Sequence, residues 1–372
     1  TAMPELSTYA LSVNGSQSFT AKPGDTLKVE FTTNEEITTP TIKLAGHEVT
    51  ASGSGTSWSA EQVLTGSDTE GLVEVELTLT DLTGNTRTLR YPETSNLLAS
   101  YSFNGNSDDV SENDNNLQAY GGIALTGDRF GRVKSAYQLD GINDYLQSEN
   151  IFTGLTDELT AEIWFYKPGV WENEYQKLIG TGTGNGWGFM VSQGPVGDMT
   201  FYSHVRNLSG TSKAAGTTNS PTPNHWHHVI LTYDGVEERL YLDGIKVGEI
   251  SQSGIIAESG TLKIGWVYGS EFYNGKLDDI NIFQEALDSS QVLMRSSIVR
   301  LDTSTPTLDS VMLSSSNTTS TLAKPADNLT LDFTVSEDIP QPTVNLAGHA
   351  VIPSNSSGDG KTWQANYIVD NT

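Results

Sequence analysis

Residues 21–32, Ala21-Lys22-Pro23-Gly24-Asp25-Thr26-Leu27-Lys28-Val29-Glu30-Phe31-Thr32, recur 302 positions later as Ala323-Lys324-Pro325-Ala326-Asp327-Asn328-Leu329-Thr330-Leu331-Asp332-Phe333-Thr334. The offset holds from Leu44-Ala45-Gly46-His47 to Leu346-Ala347-Gly348-His349, and Trp363 answers Trp58 after three extra residues. A repeat of this fidelity implies tandem construction, two like modules bracketing something else. In the first copy Leu27, Val29 and Phe31 alternate with Lys28 and Glu30, and Val73, Val75, Leu77 and Leu79 alternate with acidic or Thr partners. Such period-2 runs are half-buried strands, and Asp81-Leu82-Thr83-Gly84-Asn85 is dense in turn formers. Trp58 and Trp363, at matching positions, are expected in the two cores.

Short strands with frequent turn signals predict an immunoglobulin-like sandwich over residues 1–93 and a second over 303–372. The second copy reaches Thr372 before any counterpart of Val73–Leu79 or the closing strand Thr86–Arg90. It is therefore expected to lack two strands, with an open edge, as a piece cut from a longer array. The modules resemble bacterial immunoglobulin-like repeats of large surface proteins.

Between the copies, Trp226-His227-His228-Val229-Ile230-Leu231-Thr232-Tyr233 reads as a strand ended by Asp234-Gly235. Leu240 to Leu242 is a second, and Asp243-Gly244 supplies the positive φ angles of a tight hairpin into Ile245–Val247. Three further pieces stand in order around it. They are Leu97-Leu98-Ala99-Ser100-Tyr101-Ser102-Phe103-Asn104-Gly105-Asn106; Ala136-Tyr137-Gln138-Leu139-Asp140-Gly141-Ile142-Asn143-Asp144-Tyr145-Leu146; and Leu262-Lys263-Ile264-Gly265 with Gly275-Lys276-Leu277-Asp278-Asp279-Ile280-Asn281-Ile282-Phe283. Together they resemble the laminin-G-like jelly roll of the concanavalin A-like lectin and pentraxin superfamily. The expected fold is all-β: a central antiparallel jelly roll over residues 97–300 between two immunoglobulin-like β-sandwich modules, the last truncated. Only Ser289 to Arg300 has helical character, with Val292, Leu293 and Met294 forming a turn or two against the sandwich. The joining segments Tyr91–Asn96 and Asp302–Thr307 are short, polar and stiffened by proline, which suits an extended rod.

A formal charge of −26 repels nucleic acid and anionic lipid, and excludes both as expected partners. No apolar run approaches the roughly eighteen residues of a membrane span, so no membrane insertion is expected. The absence of cysteine removes disulfide and thiolate chemistry. Thr1-Ala2-Met3-Pro4-Glu5-Leu6 has no signal-peptide pattern, so export is signalled elsewhere or the chain is excised from something longer.

Jelly-roll glycoside hydrolases carry two Glu with an Asp between them on one strand. The pattern Glu-x-Asp-x-x-Glu is absent; Glu158-Leu159-Thr160-Ala161-Glu162 lacks the middle acid and Glu172-Asn173-Glu174 falls on a loop. No enzyme is expected, and His225-Trp226-His227-His228 is expected to pack and hydrogen-bond. Calcium, which takes six to eight oxygen ligands, is the expected cofactor. Asn104, Asn106, Asp108 and Asp109 leave the first strand of the jelly roll, and Asp278 and Asp279 lie in its last, which a jelly roll places alongside. Similar domains often hold a structural Ca²⁺ in this region. Alternation puts Asp278 and Asp279 on opposite faces.

Aromatic rings on loops are the expected ligand-binding groups, because flat rings pack on the apolar faces of sugars. They are Trp171, Tyr175, Trp187, Trp266, Tyr268 and Tyr273; Trp164 is expected in the core. The chain is thus expected to be an extracellular, adhesin-type segment of a bacterial surface protein. Its central domain would bind a glycan or other cell-surface ligand, with neighbouring repeats of the same longer chain as spacers. The alternatives are a structural rod with no ligand, or an accessory carbohydrate-binding region of a polysaccharide-degrading enzyme.

Overall fold

The computed structural model describes residues 3–370 except 94, 149–156, 171–174, 183–188, 197–198, 207–211, 257–260, 338, 340 and 356–359. The chain is nearly all β and divides into two compact units, Thr1–Thr303 and Ser304–Thr372.

The first ninety-odd residues form two facing four-stranded sheets. One runs Leu6–Val13, Thr26–Thr33, Ser57–Val63, Ser52–Ser54; the other runs Thr86–Tyr91, Val75–Thr80, Thr41–Leu44, His47–Val49. The alternation read from the sequence is the burial pattern observed: Leu27, Val29, Phe31, Leu77 and Leu79 are buried while their neighbours face out. Asp81 caps its turn by accepting from Thr83 N (2.8 Å) and Asn85 N (2.9 Å).

The jelly roll follows as two larger sheets. The eight-stranded sheet runs Ala124–Thr126, Ala136–Asp140, Asn274–Phe283, Leu159–Tyr166, Trp226–Tyr233, Glu237–Leu242, Ile245–Ser251, with Leu97–Tyr101 also paired to Asn274–Phe283. The opening and closing strands therefore lie side by side and antiparallel, with Tyr101 opposite Ile280. The seven-stranded sheet runs Gln118–Tyr120, Tyr145–Ser148, Leu262–Ile264, Gln176–Thr181, Phe189–Val196, Met199–Arg206, Ser212–Thr217. Side chains such as Phe165, Leu231 and Ile282 from one sheet meet Ile179, Val191 and Phe201 from the other in one dry core.

Instead of stretching into a rod, the first sandwich and the jelly roll share an apolar core. Leu6, Tyr9 and Leu11 pack in one cluster with Trp164, Met294, Ile298, Val299 and Leu301. The agent is helix α1 (Ser289–Ser296), begun by a capping box in which Asp288 and Gln291 satisfy each other's backbone N–H. Val292 points into the jelly roll with Ile230, Tyr241 and Phe283, and Met294 into the first sandwich. Ser290 Oγ and Ser297 Oγ accept from Leu6 N (2.9 Å) and Leu11 N (2.8 Å), satisfying the outer strand edge. Past the helix, Arg300–Leu301 inserts between Thr20–Ala21 and Gly71–Leu72, so the jelly roll's exit strand completes a small sheet of its predecessor. The polar linker at residues 91–96 gave no warning of this, because the contacting residues lie far away in sequence.

The second unit repeats the first sandwich's sheet order with Leu308–Ser315, Asn328–Val335, Thr362–Ile368 and Ser354–Asn355, beside a hairpin of Val344–Leu346 and His349–Val351. Phe333 lies opposite Trp363 as Phe31 lies opposite Trp58. Trp363 Nε1 donates to Gly360 O (2.9 Å) as Trp58 Nε1 donates to Gly55 O (3.1 Å).

Candidate functional site

The two outer faces of the jelly roll carry different chemistry. On the eight-stranded sheet, Glu162, Trp164, His228, Asp278 and Arg295 of α1 are all buried. Glu162 lies 2.7 Å from His228 Nε2 and accepts from Arg295 Nη1 (2.8 Å) and Asn281 Nδ2 (3.3 Å). Burial alone would raise its pKa; Arg295, then His228 and Asn281, outweigh it and hold the carboxyl at about 2. His228 stacks on Trp164 at 4.6 Å. His227 lies 2.7 Å from Asp243 Oδ2 and 2.8 Å from Thr222 O. α1 and the first sandwich cover Glu162, which is fully engaged there.

The expected calcium ligands are not gathered into an ion site. Arg129 donates from Nη1 to Asp278 (2.7 Å) and from Nη2 to Asp279 (2.6 Å), placing a guanidinium where a cation was expected. Alternation was expected to part these two acids, but a register shift near Trp164 and a positive φ at Asp279 turn both toward one arginine. Asp109 organises its own loop, accepting from Ser100 N, Ser111 N and Asn115 N at 2.9 Å each. Asn106 Nδ2 donates to Asp108 (2.6 Å), and Asn104 is exposed. Among the described residues no group of three or more acidic or histidine side chains is placed to hold an ion. The six expected ligands, so engaged, form no calcium site among the described residues. Arg129, in the turn-rich Asp128-Arg129-Phe130-Gly131-Arg132, carried no periodic signal that would have singled it out.

The outer face of the seven-stranded sheet is the candidate binding site. Val191, Phe201 and Val205 point into the core, so Ser192, Tyr202 and His204, alternating with them, point the other way. Lys177 joins this row opposite Ser192. Its ammonium pairs with Glu271 and lies 4.3 Å from the Tyr268 ring centre and 5.9 Å from that of Tyr175. Lys177, Tyr202 and Ser192 are buried, whereas Tyr175 and Tyr268 are each 40 % exposed. Burial, then the neighbouring phenols and Glu271, pushes the Tyr202 hydroxyl far up, so it stays a neutral donor. Burial likewise lowers His204, keeping it neutral. Lys177 was missed because its burial is not legible in Gln176-Lys177-Leu178-Ile179-Gly180-Thr181, a strand buried along its whole length, where a lysine is costly unless paired.

Gly265 launches the loop that carries Tyr268. Its φ of 79° suits glycine, and a Cβ there would meet Leu139 Cδ2 at 2.0 Å. Trp266 then packs on Tyr145 (5.0 Å) and stacks on Phe272 (5.6 Å), with the Lys263 ammonium 4.1 Å over its ring. Tyr145 in turn stacks on Tyr120 at 4.6 Å. These four rings, all partly exposed, make an aromatic ledge beside the Lys177 site. Tyr273, expected among the ligand-facing rings, closes the loop from inside: it is fully buried and donates to Tyr166 O (3.1 Å). Trp171 and Trp187 lie outside the described residues. Tyr175, Trp266 and Tyr268 are thus brought to one face.

Residues 140–293 match the family model described as the concanavalin A-like lectin/glucanases superfamily. No curated protein matches the sequence. Among solved structures, the chain is similar to domain 4 of AbnA, a GH43 extracellular arabinanase from Geobacillus stearothermophilus, in complex with arabinotriose. The identity is 18%, covering 54% of this chain and 98% of that one, with a TM-score of 0.45. The binding domain of Paraclostridial Mosquitocidal Protein 1 is 16% identical over 71% of this chain and 72% of that one, with a TM-score of 0.46. The receptor-binding domain of botulinum neurotoxin type G is 12% identical over 75% and 80%, with a TM-score of 0.43. No helix among the described residues is long and apolar enough to cross a membrane.

Proposed function

We propose that the jelly roll is a non-catalytic carbohydrate-binding domain, and that it binds through the outer face of the seven-stranded sheet. The observation that carries this is the pair of part-exposed rings, Tyr175 and Tyr268, flanking the buried Lys177–Glu271 pair. Flat rings offer apolar faces to pyranose C–H groups. The fixed ammonium, carboxylate and neutral Tyr202 and His204 beneath them supply donors and acceptors for hydroxyls. Groups already locked by packing lose little freedom when a ligand arrives. The match of residues 140–293 to a lectin and glucanase superfamily supports the same class. The flanking modules are read as immunoglobulin-like repeats of an extracellular, adhesin-type surface protein, in keeping with their tandem sequence and strand order. The full chain on a glycan array tests the site. Binding that Tyr268→Ala weakens about tenfold is the expected result; no binding to any glycan would favour the structural-rod alternative.

A further inference from the structure

A second groove lies at the seam between the first sandwich and the jelly roll, with a volume of about 470 Å³. That is within the range of roughly 300–1,000 Å³ typical of small-ligand clefts. Three parts of the fold build it. Gln17 and Phe19 come from the first sandwich, Trp164, Trp226 and Asp243 from the eight-stranded sheet and its hairpin, and Ser296 from the end of α1. Phe19, 36 % exposed, stands perpendicular to Trp164 with ring centres 5.6 Å apart. Trp226 is half-buried, and neither its indole nor the Gln17 amide has a hydrogen-bond partner among the described residues.

Asp243 is held at the rim with φ 51° by His227 and by His228 N, which donates at 2.9 Å. A carboxylate has about four acceptor positions, so capacity remains toward the groove. No Lys or Arg lines the cleft, which disfavours anions. Aromatic walls, one carboxylate, one amide without a partner among the described residues and the Ser296 hydroxyl, which donates to Leu293 O (2.7 Å) and can still accept, are the complement of a ring with C–H faces and hydroxyl edges.

We infer that this groove is a second carbohydrate site, for a short neutral saccharide, assembled only when the two domains are docked. It shares the ligand class of the proposed function but none of its residues. The test is fluorine NMR of the full chain labelled with fluorotryptophan, which gives one signal for each of seven tryptophans. The Trp226 signal is assigned by Trp226→Phe, and the probes are maltotriose, cellotriose, lactose and mannobiose.

A saturable shift of the Trp226 signal is expected with at least one probe. Gln17→Ala and Asp243→Asn should each weaken it at least fivefold, and Tyr268→Ala should leave it unchanged. No Trp226 response, a shift lost in Tyr268→Ala, a shift indifferent to both seam variants, or a response to choline in place of the sugars would each overturn the inference. A Trp226 response alongside array binding indifferent to Tyr268→Ala would sink the proposed sheet-face site while keeping the seam. Array binding that needs Tyr268, without any Trp226 response, would do the reverse.

Discussion

The two sheets of the jelly roll differ most in what their outer faces do with charge. On the eight-stranded side Glu162, Arg295, His228, Arg129, Asp278 and Asp279 pair with one another beneath a helix and a neighbouring sandwich. On the seven-stranded side the Lys177–Glu271 pair sits between tyrosines that remain part exposed. Buried pairs make a seam specific, since removing one partner leaves an uncompensated charge. A pair whose Glu271 side stays part exposed beneath two part-exposed rings leaves polar capacity for a ligand. The same fold thus buries most of the charge on one face against its neighbours and leaves part-exposed rings over a single ion pair on the other.

The sharpest way to break this contrast is Glu162→Ala. Stranding Arg295 and His228 should cost about 3–5 kcal/mol, read by denaturant unfolding of the full chain. Because the folded pKa of Glu162 is held near 2, below the usual carboxylate value, its contribution is present above about pH 4.5. It is lost as pH falls toward 2, and the variant should lack that acid limb.

A smaller effect of opposite sign comes from Glu238, between the faces. This buried carboxylate accepts from Ser203 Oγ (2.6 Å) and Val205 N (2.8 Å), and burial lifts its pKa to about 7. Its folded value lies above the unfolded one, so stability is full below about pH 4.5 and falls as pH rises through 7. Glu238→Gln should raise stability above pH 8 by on the order of 2–3 kcal/mol and flatten the alkaline limb, measured by melting across pH.

Tyr268→Ala, on the open face, should lower glycan affinity about tenfold while moving unfolding stability by no more than about 0.5 kcal/mol. Smallest of all, EDTA should leave the melting temperature unchanged, since the Arg129 guanidinium occupies the position between Asp278 and Asp279 where an ion was expected; a drop on chelation would restore the metal.

Alternation and turn chemistry made the fold legible. Asp243-Gly244 turns the hairpin where expected, and the 302-residue repeat reappears as matching strand registers. The open face was legible in part, because Tyr175, Trp266 and Tyr268 announced themselves as rings in loops. What escaped was long-range pairing: Arg129 reaching Asp278, Arg295 reaching Glu162, Leu6 resting on α1. A single sequence records such contacts only as isolated charges or ordinary apolar positions. Tyr273 was misplaced for a local reason: nothing in Phe272-Tyr273-Asn274 tells which ring turns inward.

The insertion of Arg300–Leu301 between Thr20–Ala21 and Gly71–Leu72 has a mechanical consequence. Residues 3 and 302 both leave from the first sandwich, so tension applied across them runs through that sandwich alone. The jelly roll hangs beside the strained path and is spared until the exit strand peels away. Any surface of the jelly roll would then keep its shape while the two ends of the first unit were drawn apart.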